Sequence, residues 1–139
     1  MVVTEKINVS TRGRTDMIDI TDRIADKIAA SGIDNGIVTI FVSGSTAGLT
    51  TIEYEAGLIA DFQALWNKIA PDGIRYEHNE RWGDGNGYAH VRASLLGASL
   101  TIPFTNKKLA LGTWQQVNLV DFDNRPRGRE IILQIMGEQ

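Results

Sequence analysis

The segment His78-Asn79-Glu80-Arg81-Trp82-Gly83-Asp84-Gly85-Asn86-Gly87-Tyr88-Ala89-His90 holds the densest set of chemically capable side chains in the chain. Both histidines of the protein lie in it. Imidazole is the commonest metal-ligating side chain and the one whose ordinary titration falls near neutrality. Glu77, Glu80 and Asp84 add carboxylates able to ligate an ion or to fix an imidazole tautomer. Two neutral imidazoles with a carboxylate and water suit zinc or a similar divalent ion. The plainer alternative is one histidine hydrogen-bonded within the loop and the other solvated. Loop position and charge context favour the functional reading.

Other segments offer anion or acid–base chemistry. Gly83-Asp84-Gly85-Asn86-Gly87 opens an expected helix, whose start presents unpaired N–H groups and partial positive charge. It lacks the ending of a P-loop and the preceding strand of a dinucleotide fingerprint, and a tight loop capped by Asn86 would have the same composition. Ser43-Gly44-Ser45-Thr46 follows an apolar strand, where hydroxyls and free N–H groups can hold an oxyanion or phosphate. A serine-rich turn looks the same, and without a G-x-S-x-G pattern a serine nucleophile is disfavoured. Glu53 and Glu55 lie two apart on an expected strand, on one face, where carboxylates repel unless a cation or proton sits between them. Trp114 and Gln115 fall on opposite faces of another, with Trp114 expected in the core. Arg125, Arg127 and Arg129 crowd one turn and can clamp phosphate in fork geometry, although an exposed hairpin tip has similar composition.

These groups need a scaffold. Val2 to Val9 predicts a first strand. Ile20, Ile24 and Ile28 predict a helix, capped by Asp19 or Thr21 and ended by Ser31-Gly32. Ile37 to Val42 reads as a buried central strand, and Leu49 to Tyr54 as extended. Leu58, Ile59, Phe62, Leu65, Trp66 and Ile69 form a helical stripe stopped by Pro71-Asp72-Gly73. Arg75 to Gly87 reads as a long loop, followed by a short helix through Ala89, Ala93 and Leu96 that ends at Gly97. Strands are predicted over Ser99–Phe104, Leu109–Leu111, Trp114–Phe122 and Glu130–Met136, with turns at 105–108 and 125–128. Late strands with helices between the early ones give an α+β class with a mostly antiparallel, sandwich-like core and two to three helices.

Composition bounds the rest. The chain has 139 residues, 42% hydrophobic and 22% charged, the size of one domain spanning 1–139 that buries roughly two-thirds of its unfolded surface. No cysteine is present, which excludes disulfides, thiolate metal sites and a cysteine nucleophile. A net charge of −3 argues against a nucleic-acid partner and an anionic membrane surface. No apolar run approaches the ~20 residues that span a bilayer. The start Met-Val-Val-Thr-Glu-Lys lacks a basic-then-apolar export pattern, so the cytoplasm is the expected compartment.

Taken in order, Ser45-Thr46-Ala47, Glu53, Tyr76-Glu77-His78-Asn79, Asn86, Ala89-His90, the run Ser94 to Pro103, Leu109 to Gln115 and Asp121-Phe122-Asp123 resemble the YjbQ family. The resemblance runs from about Ile37 onward. It implies a compact α+β domain with a β-sandwich core, a homotrimer, a metal-binding cleft and thiamine-phosphate-synthase-type activity on a small phosphorylated molecule. On matching positions, His78, His90 and Glu53 become the catalytic candidates, and His78 and His90 the metal ligands for zinc or magnesium, with the nearby Asp84 added from the loop itself. Ser45, Thr46, Asn86, Ser94 and Gln115 become the substrate- or anion-binding set, with Arg127 of the arginine turn as an outer clamp. One position departs: many family members carry histidine where this chain has Gly44, before Ser45. A non-enzymatic metal- or anion-binding trimer is the alternative.

Overall fold

Alternating apolar and polar residues decide where this chain pairs with itself. In the computed structural model, which describes residues 1–139, the elements are β1 (Val2–Thr11), β2 (Asp16–Asp19), α1 (Thr21–Ala30), β3 (Asn35–Val42), β4 (Ala47–Ile52), α2 (Ala56–Ile69), α3 (Glu77–Trp82), α4 (Gly87–Leu96), β5 (Ser99–Thr105), β6 (Lys108–Leu109), β7 (Gln116–Asp121) and β8 (Arg127–Glu138). They form an antiparallel five-stranded sheet ordered β1-β8-β3-β5-β6 and an antiparallel three-stranded sheet ordered β2-β7-β4. This is the α+β class, with four helices.

Two apolar layers hold the sheets. The larger packs Ile7, Val38, Ile40, Leu119, Ile131 and Leu133 with Ile20, Ile24 and Ile28, the last three from α1 and the residue before it. Burying each of these isoleucine side chains contributes about 1.5–3 kcal/mol. The smaller packs Trp66 of α2 and Tyr88, Ala89 and Ala93 of α4 against Met17, Val120 and Phe122. The middle strand β7 therefore feeds both layers: Val117 and Leu119 face one, and Val120, with Phe122 just beyond the strand, the other. Its unbroken apolar run follows from burial on two sides.

Several expectations change. β3 is buried on one face only: Val38, Ile40 and Val42 point inward, while Ile37 and Phe41 are 41% and 43% exposed. The 75–87 segment contains a helix, α3, whose sequence EHNERW has no apolar stripe to announce it. Its end is set by Gly83 at φ 71°, the left-handed cap a glycine supplies without strain. Leu49–Tyr54 is a strand only to Ile52; Glu55 then caps α2 by accepting from Gly57 and Leu58 N–H at 2.8 Å each. Trp114 precedes β7 in a turn and is 72% exposed, not core.

The turn between β1 and β2 is left-handed at three successive residues, Gly13 (φ 76°), Arg14 (φ 56°) and Thr15 (φ 64°). Glycine is required at 13, since a Cβ there would lie 2.4 Å from the Arg125 carbonyl oxygen. For the two non-glycine residues this conformation costs roughly 1–2 kcal/mol each, which the surrounding contacts must offset.

Candidate functional site

α3 and α4 meet where the chain reverses through Gly83-Asp84-Gly85, and this brings the two histidines together. The His78 and His90 ring centroids lie 4.5 Å apart with planes tilted by 41°. Gly87 makes the approach possible: a Cβ there would stand 2.8 Å from Tyr76 Cβ and 3.0 Å from Asn79 Oδ1. The Gly87 N–H donates to Asn79 Oδ1 at 2.9 Å, tying the start of α4 to α3. That bond also occupies one helix-start amide expected to cradle an anion. Asn86 is not a side-chain cap for α4; its Nδ2 donates to Asp123 Oδ1 at 3.3 Å.

Electrostatics differentiate the rings. Burial, and next the neighbouring His78, hold the His90 pKa below the usual imidazole value, against the opposing pull of Asp123, Asp84 and the Ser45 backbone carbonyl. The shift favours the uncharged ring, the form that can take a proton or an ion. Asp84 Oδ1 lies 3.5 Å from His78 Nδ1. That Nδ1 is buried without a hydrogen-bond partner, as is Asn86 Oδ1. Orphaned buried polar atoms are uncommon in folded proteins and call for a partner. The donors fit a divalent ion held by two imidazoles. No group of three or more histidine and carboxylate side chains is arranged around one point, so this chain does not build the three-ligand centre usual for catalytic zinc.

Behind the rings lies a buried ionic network. Asp123, 1% exposed, accepts from Thr46 Oγ1 at 3.0 Å, Arg127 Nη1 at 3.0 Å and the Asn124 N–H at 2.8 Å. Burial alone would raise its pKa; the Asn124, Asn86 and Thr46 hydrogen bonds and the Arg127 charge together lower it. Arg129 grips Asp121 in a fork, Nε–Oδ2 2.7 Å and Nη2–Oδ1 2.9 Å, and donates to Thr46 Oγ1 at 2.6 Å. Thr11 Oγ1 completes Asp121 at 2.6 Å. Thr46, read from sequence as an anion contact, is thus committed to Asp123 and Arg129, whereas Arg127 gives one donor to Asp123 and stays partly exposed. Gly44, at φ 127°, sits against this network: a Cβ would lie 2.7 Å from Arg129 Nη1.

Ser45 and Ser94 line a hollow of about 250 Å³ with Gly44, Ala47, Ala93 and Ala98. Ser94 stands one turn after His90 and donates to its carbonyl at 2.8 Å, and the His90 ring faces the Ser45 backbone. Glu53 and Gln115 lie elsewhere. β4 carries the chain away from Thr46, and at ~3.3 Å per residue Glu53 is roughly 20 Å from it. Gln115 is at that same far end, its Nε2 3.1 Å from Thr51 Oγ1. The structure therefore unites His78, His90, Asp84 and Asn86, sets Ser45 and Ser94 next to them, and leaves Glu53 and Gln115 apart. Asp121 and Asp123 were not singled out as site residues, and Arg129 only as a possible phosphate clamp; acids two apart at the end of an apolar strand, matched by arginines two apart, were the available signal.

The family described as "UPF0047 protein YjbQ-like" matches residues 5–138. A UPF0047 protein of Methanothermobacter thermautotrophicus is 35% identical over 137 residues, covering 99% of this chain and 94% of its own length. One from Archaeoglobus fulgidus is 34% identical over 131 residues, 94% of this chain and 99% of its own. The crystal structure of a YbjQ-like protein of unknown function from Sulfolobus solfataricus P2 superposes with a TM-score of 0.94 at 37% identity, covering 99% of each chain. A hypothetical protein from Aeropyrum pernix K1 gives 0.90 at 29% identity, covering 98% of this chain and 99% of that one.

Proposed function

The chain belongs to the YjbQ-like UPF0047 family, and from that premise and its paired imidazoles we propose that it acts on a small phosphorylated molecule with thiamine-phosphate-synthase-type chemistry. That reaction joins a pyrimidine-methyl pyrophosphate to a thiazole phosphate and releases pyrophosphate. The observation that carries the proposal is the 4.5 Å pairing of His78 with His90, close to the Ser45 backbone that lines a hollow with Ser94.

His78 and His90 are the residues that would hold a divalent ion, zinc or magnesium, with Asp84 beside them; nitrogen donors favour zinc. Such an ion supplies positive charge against the departing pyrophosphate. Alternatively, with no ion on its lone pair, His90 takes or returns a proton at the substrate. Asp84 orients His78. The Ser45 hydroxyl donates to phosphoryl oxygens in the hollow, while the Ser94 proton stays on the His90 carbonyl. Thr46, Asp123 and Arg127 keep the supporting loop in place. The test is metal content and thiamine-phosphate formation for the protein and for His90→Ala. Loss of both is expected; unchanged product formation removes the assignment.

Gly44 favours a second reading, a metal- or anion-binding protein without turnover, because the family resemblance implies an imidazole at this position and the chain has no side chain there. Saturable pyrophosphate binding with no product from any thiazole phosphate supports it. In either case the assembly is a homotrimer. Ile37, Phe41 and Met136 leave apolar surface on the outer face of the five-stranded sheet, Ile37 and Met136 as a cross-strand pair, and such patches mark contacts. Light scattering at the mass of one chain would refute the trimer. No helix is long and apolar enough to cross a membrane.

A further inference from the structure

A second hollow, of about 260 Å³, lies between α2, α4 and the left-handed turn after β1. It contains a buried charge that the fold does not neutralise directly. Arg92 is 3% exposed, yet all three of its hydrogen bonds go to neutral oxygens: Ala70 carbonyl at 2.9 Å, Thr15 Oγ1 at 2.9 Å and Asn67 Oδ1 at 3.2 Å. A guanidinium has five N–H donors, so two remain for another acceptor. Buried charges are ordinarily paired. Asp72 is the sole carboxylate lining the hollow and makes no ion pair with Arg92; a second guanidinium, Arg14, lines it as well, leaving a net positive wall.

We propose that this hollow binds the oxyanion head of a small molecule, a carboxylate or a phosphate monoester, between Arg92 and Arg14. Fork-shaped donors suit such planar or tetrahedral oxyanions. The backbone is set for it. Three successive left-handed residues hold Arg14 in position, its N–H donating to the Asp123 carbonyl at 2.7 Å, while Gln63 Nε2 holds the Thr15 carbonyl at 3.0 Å. The Tyr88 ring stacks under Arg92, 4.9 Å from Cζ to centroid, and burial keeps its phenol protonated and able to donate. The volume falls below the ~300 Å³ at which sites for drug-sized ligands begin, which suits a small head group.

This site is independent of the histidine pair. At 100° per residue, Tyr88 and Arg92 share one face of α4, and His90, two residues from each, faces the opposite way. The test titrates the intact protein with inorganic phosphate and separately with acetate, at fixed ionic strength, following amide shifts of residues 13–15 and 92 by NMR. Saturable shifts with a millimolar midpoint for at least one ion are expected, and the ion that saturates identifies the head group. Arg92→Gln removes a structural hydrogen-bonding hub, so the decisive variant is the exposed Arg14→Gln, expected to weaken binding about tenfold through loss of one charge-assisted contact. His90→Ala should leave the midpoint unchanged. Absence of saturation by either ion up to ~50 mM, an Arg14→Gln midpoint equal to that of the unsubstituted protein, or loss of the shifts in His90→Ala would each overturn the proposal.

Discussion

Asp121→Asn tests the ionic network that backs the histidines. Arg129 and Asp121 are both buried and joined by two short bonds, 2.7 and 2.9 Å. Removing the charge of one partner leaves the other in a poorly solvated place, a loss of about 3–5 kcal/mol for buried pairs. Asp123 lies 3.9 Å from Arg129 Nη2 and retains part of the attraction, so the low end, about 3 kcal/mol, is expected. With a urea slope near 2 kcal/mol/M, the unfolding midpoint should fall by about 1.5 M. The exposed pair Lys6–Glu130, at 3.7 Å, is the internal comparison, and Glu130→Gln should cost no more than about 0.5 kcal/mol. Replacing both partners, Asp121→Leu with Arg129→Met, should recover most of the loss, because the desolvation cost disappears with the charges. Equal effects of Asp121→Asn and Glu130→Gln, or a double variant no better than the single, would refute the view that burial sets the cost.

Gly87→Ala should separate α3 from α4, costing about 1–3 kcal/mol by overpacking and weakening any metal binding shared by His78 and His90; thermal unfolding and metal titration read the two effects. Gly44→Ala should lose about 1–3 kcal/mol, from its φ of 127° and the 2.7 Å approach to Arg129, measured by urea unfolding. Acidification should destabilise the fold through His90: the unfolded chain takes up a proton near pH 6.5, the folded ring only at lower pH, so stability falls as pH drops below 6.5. Urea titrations at pH 7.5 and 5.5 measure the slope, and His90→Gln should flatten it. If the proposed trimer packs through the apolar outer sheet face, Ile37→Lys should leave single chains by light scattering.

What was legible in the sequence was what obeys a single period. Ile20, Ile24 and Ile28 mark α1, and alternating residues mark β8, because one face of each meets a core and the other does not. The Asn106–Lys107 turn was legible too, and both residues take the positive φ of a tight hairpin. α3 was not, since it buries no residue and its existence depends on Gly83 and on docking to α4. Within the site, proximity along the chain was enough to foresee His78 meeting His90. Spacing could not show that Thr46 and Arg127 are taken up by Asp123, nor that β4 carries Glu53 away from the imidazoles. Such outcomes depend on strand direction, which local pattern does not encode.

β8 follows every other element in the chain yet occupies the second position of its sheet, between β1 and β3. During synthesis β1 must therefore wait, without its sheet neighbour, until β8 leaves the ribosome. Chaperone demand should peak in that interval, and a chain stopped short of Arg127 should aggregate through two bare edges rather than accumulate as a smaller folded species.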